Sequence, residues 1–269
     1  DKIKTVFSVA ALCLVLGSFR PAFEFLYIQM DVGQGDCACI FNGEQTYLID
    51  GGSTSEKEIG KYRIAKMLKY YGRDEVDGVF ITHGDEDHVN GIEELAERQE
   101  KEGITICQII VPNLQRKEEG LQKFVQTVTA KKIPVASMRK GQQITSGNMQ
   151  LRCLHPASEY EWEDANDCSL VFDLSYKNLS ILTTGDLGVH GEENSTFPRK
   201  RYDILKVGHH GSKNSSSEVF LQKCRPRYGF ISAGADNRYG HPAKETLQRL
   251  ENISCKNWNT AQKGALFAE

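Results

Sequence analysis

The sequence predicts an α/β chain in which two mixed β-sheets pack face to face with helices outside. From residue 25 onward, strand-like apolar runs alternate with runs of helical period. The first strands come as hairpins separated by turn signals, "GQGD" and "NGEQ", and the second half repeats the style. No short-period repeat and no internal domain boundary stand out.

In order, "FLYIQMDV", "CACIF" and "TYLID" read as strands. "EKEIGKYRIAKMLKYYG" places apolar residues at 59, 64, 67, 68 and 71, close to helical period, and Gly72 ends it. "GVFIT" reads as a buried strand. A helix over 91–101, a strand over 104–111, a helix over 118–131 and a strand over 133–137 come next. The second half offers strands at "MQLRCL", "SLVFDLSY", "LSILTT" and "DILKVG", a helix near 215–224, the strand "YGFISAG" and a helix near 243–252. The tail "GALFAE" reads as a last strand, and "GEENSTFPRKR" as the most loop-like interior stretch.

Residues 3–19 stand apart. They are apolar with no charge after Lys4, near the lower limit of a membrane span of about 17 residues, and Lys2 and Lys4 place the N-terminal side inside. The expected organisation is therefore the end of a membrane helix and a linker over 1–23, then one domain over 24–269 facing outward. The 269 residues, 39% hydrophobic and 26% charged, have an ordinary globular balance. A net charge of −3 does not advertise a nucleic-acid binder, although basic clusters act locally. Eight cysteines are scattered without a CxxC pair, so most of them read as small buried apolar residues instead of a disulfide framework.

The chemistry concentrates in four islands, each after an apolar strand, where α/β folds gather ligands. "THGDEDHVNG" (82–91) holds His83, Asp85, Asp87 and His88, although the chain has only seven histidines. Such groups in one loop imply a cation among them, and imidazoles with carboxylates suit zinc, manganese or iron. An EF-hand is excluded: Val89, Asn90 and Ala96 stand where that loop needs a ligand, a Gly and a bidentate Glu. "TTGDLG" supplies Asp186, "VGHHGS" supplies His209 and His210, and "YGHP" supplies His241. "GQGDCA" imitates a dinucleotide-binding turn, but the strand-like "CIFNG" comes after it in place of the required helix. With no Walker-type loop either, no nucleotide cofactor is expected.

"DVGQGD" (31–36), "LIDGG" (48–52), "THGDEDHVNG" (82–91), "NDCSLVF" (166–172), "TTGDL" (183–187), "LKVGHHGS" (205–212) and "YGHP" (239–242) succeed one another along nearly the whole chain. In this the chain resembles the metallo-β-lactamase fold. More narrowly, it resembles the C-terminal domain of ComEC-type competence channels, membrane proteins that carry transforming DNA into bacteria. The resemblance implies an αββα four-layer sandwich with two divalent metal ions, Zn or Mn, at its edge. His83 and Asp85 would hold one ion, Asp87 and His88 the other, and Asp186 would bridge them. Asp85 stands where most of the superfamily has a histidine, which makes the site harder and manganese as plausible as zinc. The usual third histidine is replaced by Asn166 or supplied by His155. His241 is the expected last ligand of the second ion, and Asp50 would orient a ligand imidazole. His209 and His210 would be ligands or touch the substrate, one of them protonating the leaving oxygen.

Such a pair of ions suits in-line hydrolysis of a phosphodiester. The implied role is a metal-dependent phosphodiesterase or nuclease that degrades the non-imported strand. Its partners would be single-stranded DNA and the membrane channel of the same protein, with the domain on the outer face. Asn166 and Ser212 are expected at the substrate, free amides of "GSKNSSSE" would hold a phosphate, and "PRKR" (198–201) with Lys206 would grip the DNA backbone. Two alternatives are a hydrolase of small or cell-wall phosphodiesters and a non-catalytic DNA-guiding module.

Overall fold

The computed structural model describes residues 4–9, 23–157, 161–162 and 164–269. Residues 4–9 form a short helix, α1, and the rest of the expected membrane helix lies outside the described residues. Among the described residues, no helix is long and apolar enough to cross a membrane.

Two seven-stranded mixed sheets face each other. In the first, β1 (Phe25–Gln29), β2 (Ala38–Asn42) and β3 (Gln45–Ile49) form the expected antiparallel hairpins. The sheet then turns parallel through β5 (Gly78–Phe80), β7 (Ile109–Pro112) and β8 (Val135–Met138). The last strand, β16 (Leu266–Ala268), pairs with β1. A small parallel ladder joins β4 (Glu75–Val76) to β6 (Thr105–Ile106), so the expected strand over 104–111 is in fact two.

The second sheet is an antiparallel meander of β9 (Gln143–Ser146), β10 (Met149–His155), β11 (Val171–Tyr176) and β12 (Leu179–Thr183). Parallel strands β13 (Ile204–Lys206), β14 (Tyr228–Ile231) and β15 (Lys256–Asn259) continue it.

Strand alternation divides the apolar residues into three cores. Phe25, Tyr27, Ile40, Tyr47 and Phe80 point at Leu151, Phe172, Leu174 and Phe230 of the other sheet. Phe80 and Phe172 meet edge to face, their ring centroids 5.1 Å apart. The opposite set, including Leu26, Ile28, Phe41 and Leu48, packs on α2 (Ala65–Tyr70), α3 (Glu86–Glu102) and α4 (Glu119–Ala130) through Leu68, Ile92, Leu95, Phe124 and Val128. Beyond the second sheet, Leu182, Leu205 and Val207 pack on α6 (Glu218–Cys224) and α7 (Lys244–Asn252) through Phe220, Leu221 and Leu250. Each such side chain, fully buried, contributes about 1.5–3 kcal/mol. The result is the αββα order. Seven cysteines are described, and all are free.

Several boundaries depart from expectation. Helix α3 begins at Glu86, not at 91, so Asp87 and His88 occupy its first turn. Acidic groups are favourable there because the helix dipole is positive. Helix α2 continues from a π-turn over Gly60–Ile64. The stretch "GEENSTFPRKR" is not all loop, because α5 (Val189–Asn194) takes its first residues. A short α8 (Thr260–Lys263) was also unexpected.

Candidate metal centre

Strands β3, β5, β12, β13 and β14 all end at one rim of the sandwich, and the loops leaving them converge there. Leu170 N–H donates to Thr82 O across 3.0 Å, joining the two sheets at this rim.

Asp50, after β3, sits with φ 57° and accepts three hydrogen bonds. Thr82 donates its N–H to Oδ1 at 2.7 Å and its hydroxyl to Oδ2 at 2.8 Å. His88 Nδ1 lies 2.9 Å from Oδ2. With the Thr82 proton spent on Asp50, Thr82 Oγ1 can only accept from His83 Nδ1, 3.0 Å away. His210 Nδ1 donates to Ser232 O at 2.9 Å. All three imidazoles therefore hold a proton on Nδ1 and turn Nε2 inward, the atom whose lone pair would face a cation once any second proton is given up.

Those Nε2 atoms of His83, His88 and His210 are buried and have no hydrogen-bond partner, as is Asp186 Oδ1. Buried polar atoms are rarely left so. Asp186 Oδ2 lies 3.3 Å from both His88 Nε2 and His210 Nε2, and His210 Nε2 is 3.3 Å from Asp87 Oδ2. Ligand atoms of His83, His88 and Asp186 fall within 4.8 Å of one another, as do those of Asp87, His88 and His210. Asp85 Oδ2 reaches His83 Nε2 at 3.5 Å. The residues fit a pair of divalent cations, with inward lone pairs and carboxylates replacing missing hydrogen-bond partners.

The charges agree with that fit. Burial raises the Asp186 pKa, but His210, His88 and His209 outweigh it and hold the carboxyl well below its usual range. Asp87 resists its own burial and falls to about 2, chiefly through His210 and His88. Burial lowers the His210 pKa, yet Asp186 and Asp87 carry it up to about 9. His88 is likewise raised against its burial by Asp186 and Asp50. Without metal, protons occupy the places that cations would take.

His209 and His210 both adopt left-handed backbone, φ 48° and 53°. For non-glycine residues that strain costs on the order of 1–3 kcal/mol each, typical of functional sites. His209 N–H donates to Gly185 O at 3.1 Å, and Ser212 N–H to His209 O at 2.7 Å. His209 Nε2 stands 3.8 Å from Asp186 and its side chain is 28% exposed, so it faces the mouth.

The other expected site residues are placed around this cluster. His241 stands beside the cluster, its ring 5.6 Å from that of His209 and 6.4 Å from that of His210, with its buried Nδ1 unpartnered. Asn166 sits in a turn whose Ser169 hydroxyl accepts from Asp186 N at 3.1 Å. His155 is no ligand: its ring nitrogens meet Asp167 O and Ser195 Oγ, at 2.8 and 2.7 Å. Ser212 Oγ accepts from Asn214 N.

Two expectations are overturned. The amides of Ser216 and Ser217 are not free for a phosphate, because Glu192 takes both, at 2.5 and 2.8 Å. Lys206 does not grip a substrate. It is buried, ion-paired with Asp36 and 3.6 Å from Asp186 Oδ1.

Thr82, Ser232 and Asp36 were missed as site residues. "DVGQGD" contained Asp36, but its pairing with Lys206, far along the chain, has no local signal.

The metallo-beta-lactamase superfamily model matches residues 30–136. The chain is 30% identical to ComE operon protein 3 of Bacillus subtilis over 88% of its own length and 32% of that protein. It is 28% identical to competence protein ComA of Neisseria gonorrhoeae, over 91% of this chain and 32% of ComA. It thus spans about a third of the length of these curated relatives. Among solved structures, the metallo-beta-lactamase fold protein YhfI of Bacillus subtilis matches with TM-score 0.56 at 12% identity, over 91% of this chain and 99% of YhfI. At that identity the likeness is one of fold.

Proposed function

We propose, from the premise that this chain carries a metallo-beta-lactamase domain and is homologous to competence proteins of the ComEC family, that it hydrolyses phosphodiester bonds of single-stranded DNA with two divalent cations. The observation that carries this reading is the clustering of three buried, unpartnered Nε2 atoms around Asp186, with His88 and His210 at 3.3 Å from it and His83 in the same group of ligand atoms. His83 and Asp85 would hold one ion, Asp87, His88 and His210 the other, with Asp186 between them. Bound there, zinc or manganese supplies charge stabilisation and an acidified water.

The chain's own groups do the rest. Asp50 holds His88 in its Nδ1–H tautomer directly, and His83 through the Thr82 hydroxyl. With His210 turned inward, His209 is the imidazole that meets an entering substrate. Burial lowers its pKa, so at neutral pH it is uncharged and suited to accept a proton. In a DNA-uptake protein, such a domain would degrade the strand that is not imported, working beside the membrane channel of the same protein on the outer face.

The test is incubation of the chain with manganese or zinc and end-labelled single-stranded DNA. Cleavage is expected, with Asp87→Ala slower by at least ~100-fold because it removes a ligand carboxylate. Turnover of a chromogenic small diester should be the poorer. No cleavage with either metal, or an Asp87→Ala rate equal to wild type, would overturn the proposal.

A further inference from the structure

We propose that a basic cleft at the far end of the second sheet holds the phosphodiester backbone of the same DNA. The cleft has a volume of about 1020 Å³ and is walled by Arg199, Lys200, Arg201, Lys223 and Arg225, with no acidic residue in its lining. Arg199 and Arg201 precede β13, while Lys223 and Arg225 end α6. Both segments lie at the opposite end of the strands from the metal centre.

The cations there are uncompensated. Lys69, Arg98 and Lys177 elsewhere pair with Glu102 or Glu24. Among the described residues, no ion pair forms at Arg199, Arg201, Lys223 or Arg225. Lys200 alone is neutralised, bound to both oxygens of Asp173 at 2.7 and 2.9 Å. Arg225 is also held in left-handed backbone, φ 37°, as the C-cap of α6. On a chain of net charge −3, a polyanion is repelled in general and attracted here.

Size and shape select the ligand. Four unpaired cations around so large a recess exceed what one phosphate needs, and planar guanidinium groups suit phosphate oxygens. A recess with Val219 as its main exposed apolar residue is a poor match for a membrane surface, which rewards inserted apolar side chains. Arg201 and His209 are eight positions apart in the chain, at most about 26 Å when extended. At ~3.4 Å per stacked nucleotide, that straight-line span corresponds to about eight nucleotides, and a strand running over the surface needs more than that straight path.

This inference rests on the phosphodiesterase reading, but its test needs no cleavage. Binding of a fluorescein-labelled single-stranded 20-mer to the metal-free chain is followed by anisotropy over a salt series. Replacing Arg199, Arg201, Lys223 and Arg225 with Ala should weaken binding at least 10-fold. It should also flatten the log K against log salt slope by about 3, near 0.7 for each lost contact. Arg→Lys at the three arginines should keep the slope, and the surface pair Lys66→Ala/Lys101→Ala should change affinity less than two-fold. Metal content and thermal midpoint report that the variants are folded. Unchanged affinity and slope would overturn the proposal, as would intact DNA binding with lost binding to phosphatidylglycerol vesicles. An inactive wild-type chain with intact salt-dependent binding would defeat only the hydrolase reading.

Discussion

Asp50 orients two imidazoles at once, His88 directly and His83 by way of Thr82. Removing it leaves the Nδ1 of His88 and the Thr82 hydroxyl without their buried acceptor. Asp50→Ala should lower metal affinity by about 10–100-fold, as such outer partners do, read by competition with a chelating dye. Loading itself should expel protons. His210, raised to about 9, and His88, raised in the same direction, are protonated at pH 7 in the metal-free protein, and a ligand imidazole must give up its proton. Calorimetric titration in buffers of different ionisation heat should show at least one proton released per metal pair, with affinity falling as pH drops. No release would contradict the assignment of His210. These residues differ in how readable they were. "HGDEDH" announces itself because so many ligand types crowd one stretch, whereas Thr82 and Ser232 act through contacts to residues that composition cannot pair with them, Thr82 with Asp50 and His83, Ser232 with His210 and Gly35.

Helix α3 explains why the ligand loop is better understood as an element. A Cβ on Gly52 would lie 2.3 Å from Asp87 C and 2.4 Å from His88 N, so the glycine allows the first turn to press against the end of β3. Gly52→Ala should therefore displace Asp87 and His88, destabilise the fold by about 1–3 kcal/mol and lower metal content, measured by denaturation and elemental analysis. The helix start was misplaced by five residues because polar ligands in a first turn look like loop. Strands with strong apolar runs, such as those at β1–β3 and β10–β12, were legible. Edge strands β9, "QITS", and β15, "KNWN", were not, since each leaves one face to solvent and lacks an apolar run. Helix α5, "VHGEEN", has too few apolar residues for periodicity to show. The four-layer order was nonetheless recoverable, because hairpins followed by alternating elements admit few arrangements.

At the scale of the whole molecule, the centre couples both sheets to pH. His210 titrates near its ordinary 6.5 when unfolded and at about 9 when folded. The metal-free folded chain thus binds more protons between those values, and its stability falls as pH rises through that window. The loss is on the order of 3 kcal/mol for this group, and His88 adds in the same direction. Urea midpoints of the metal-free chain should drop from pH 6.5 to 9, and saturating metal should abolish the drop. The most direct test of the central claim, that ends of both sheets cage two divalent cations, is anomalous scattering from crystals soaked in zinc or manganese. Two peaks are expected, one beside His83 and Asp85 and one beside Asp87, His88 and His210, with Asp186 contacting both. An empty cluster after soaking, or metal bound only at other surfaces, would contradict it.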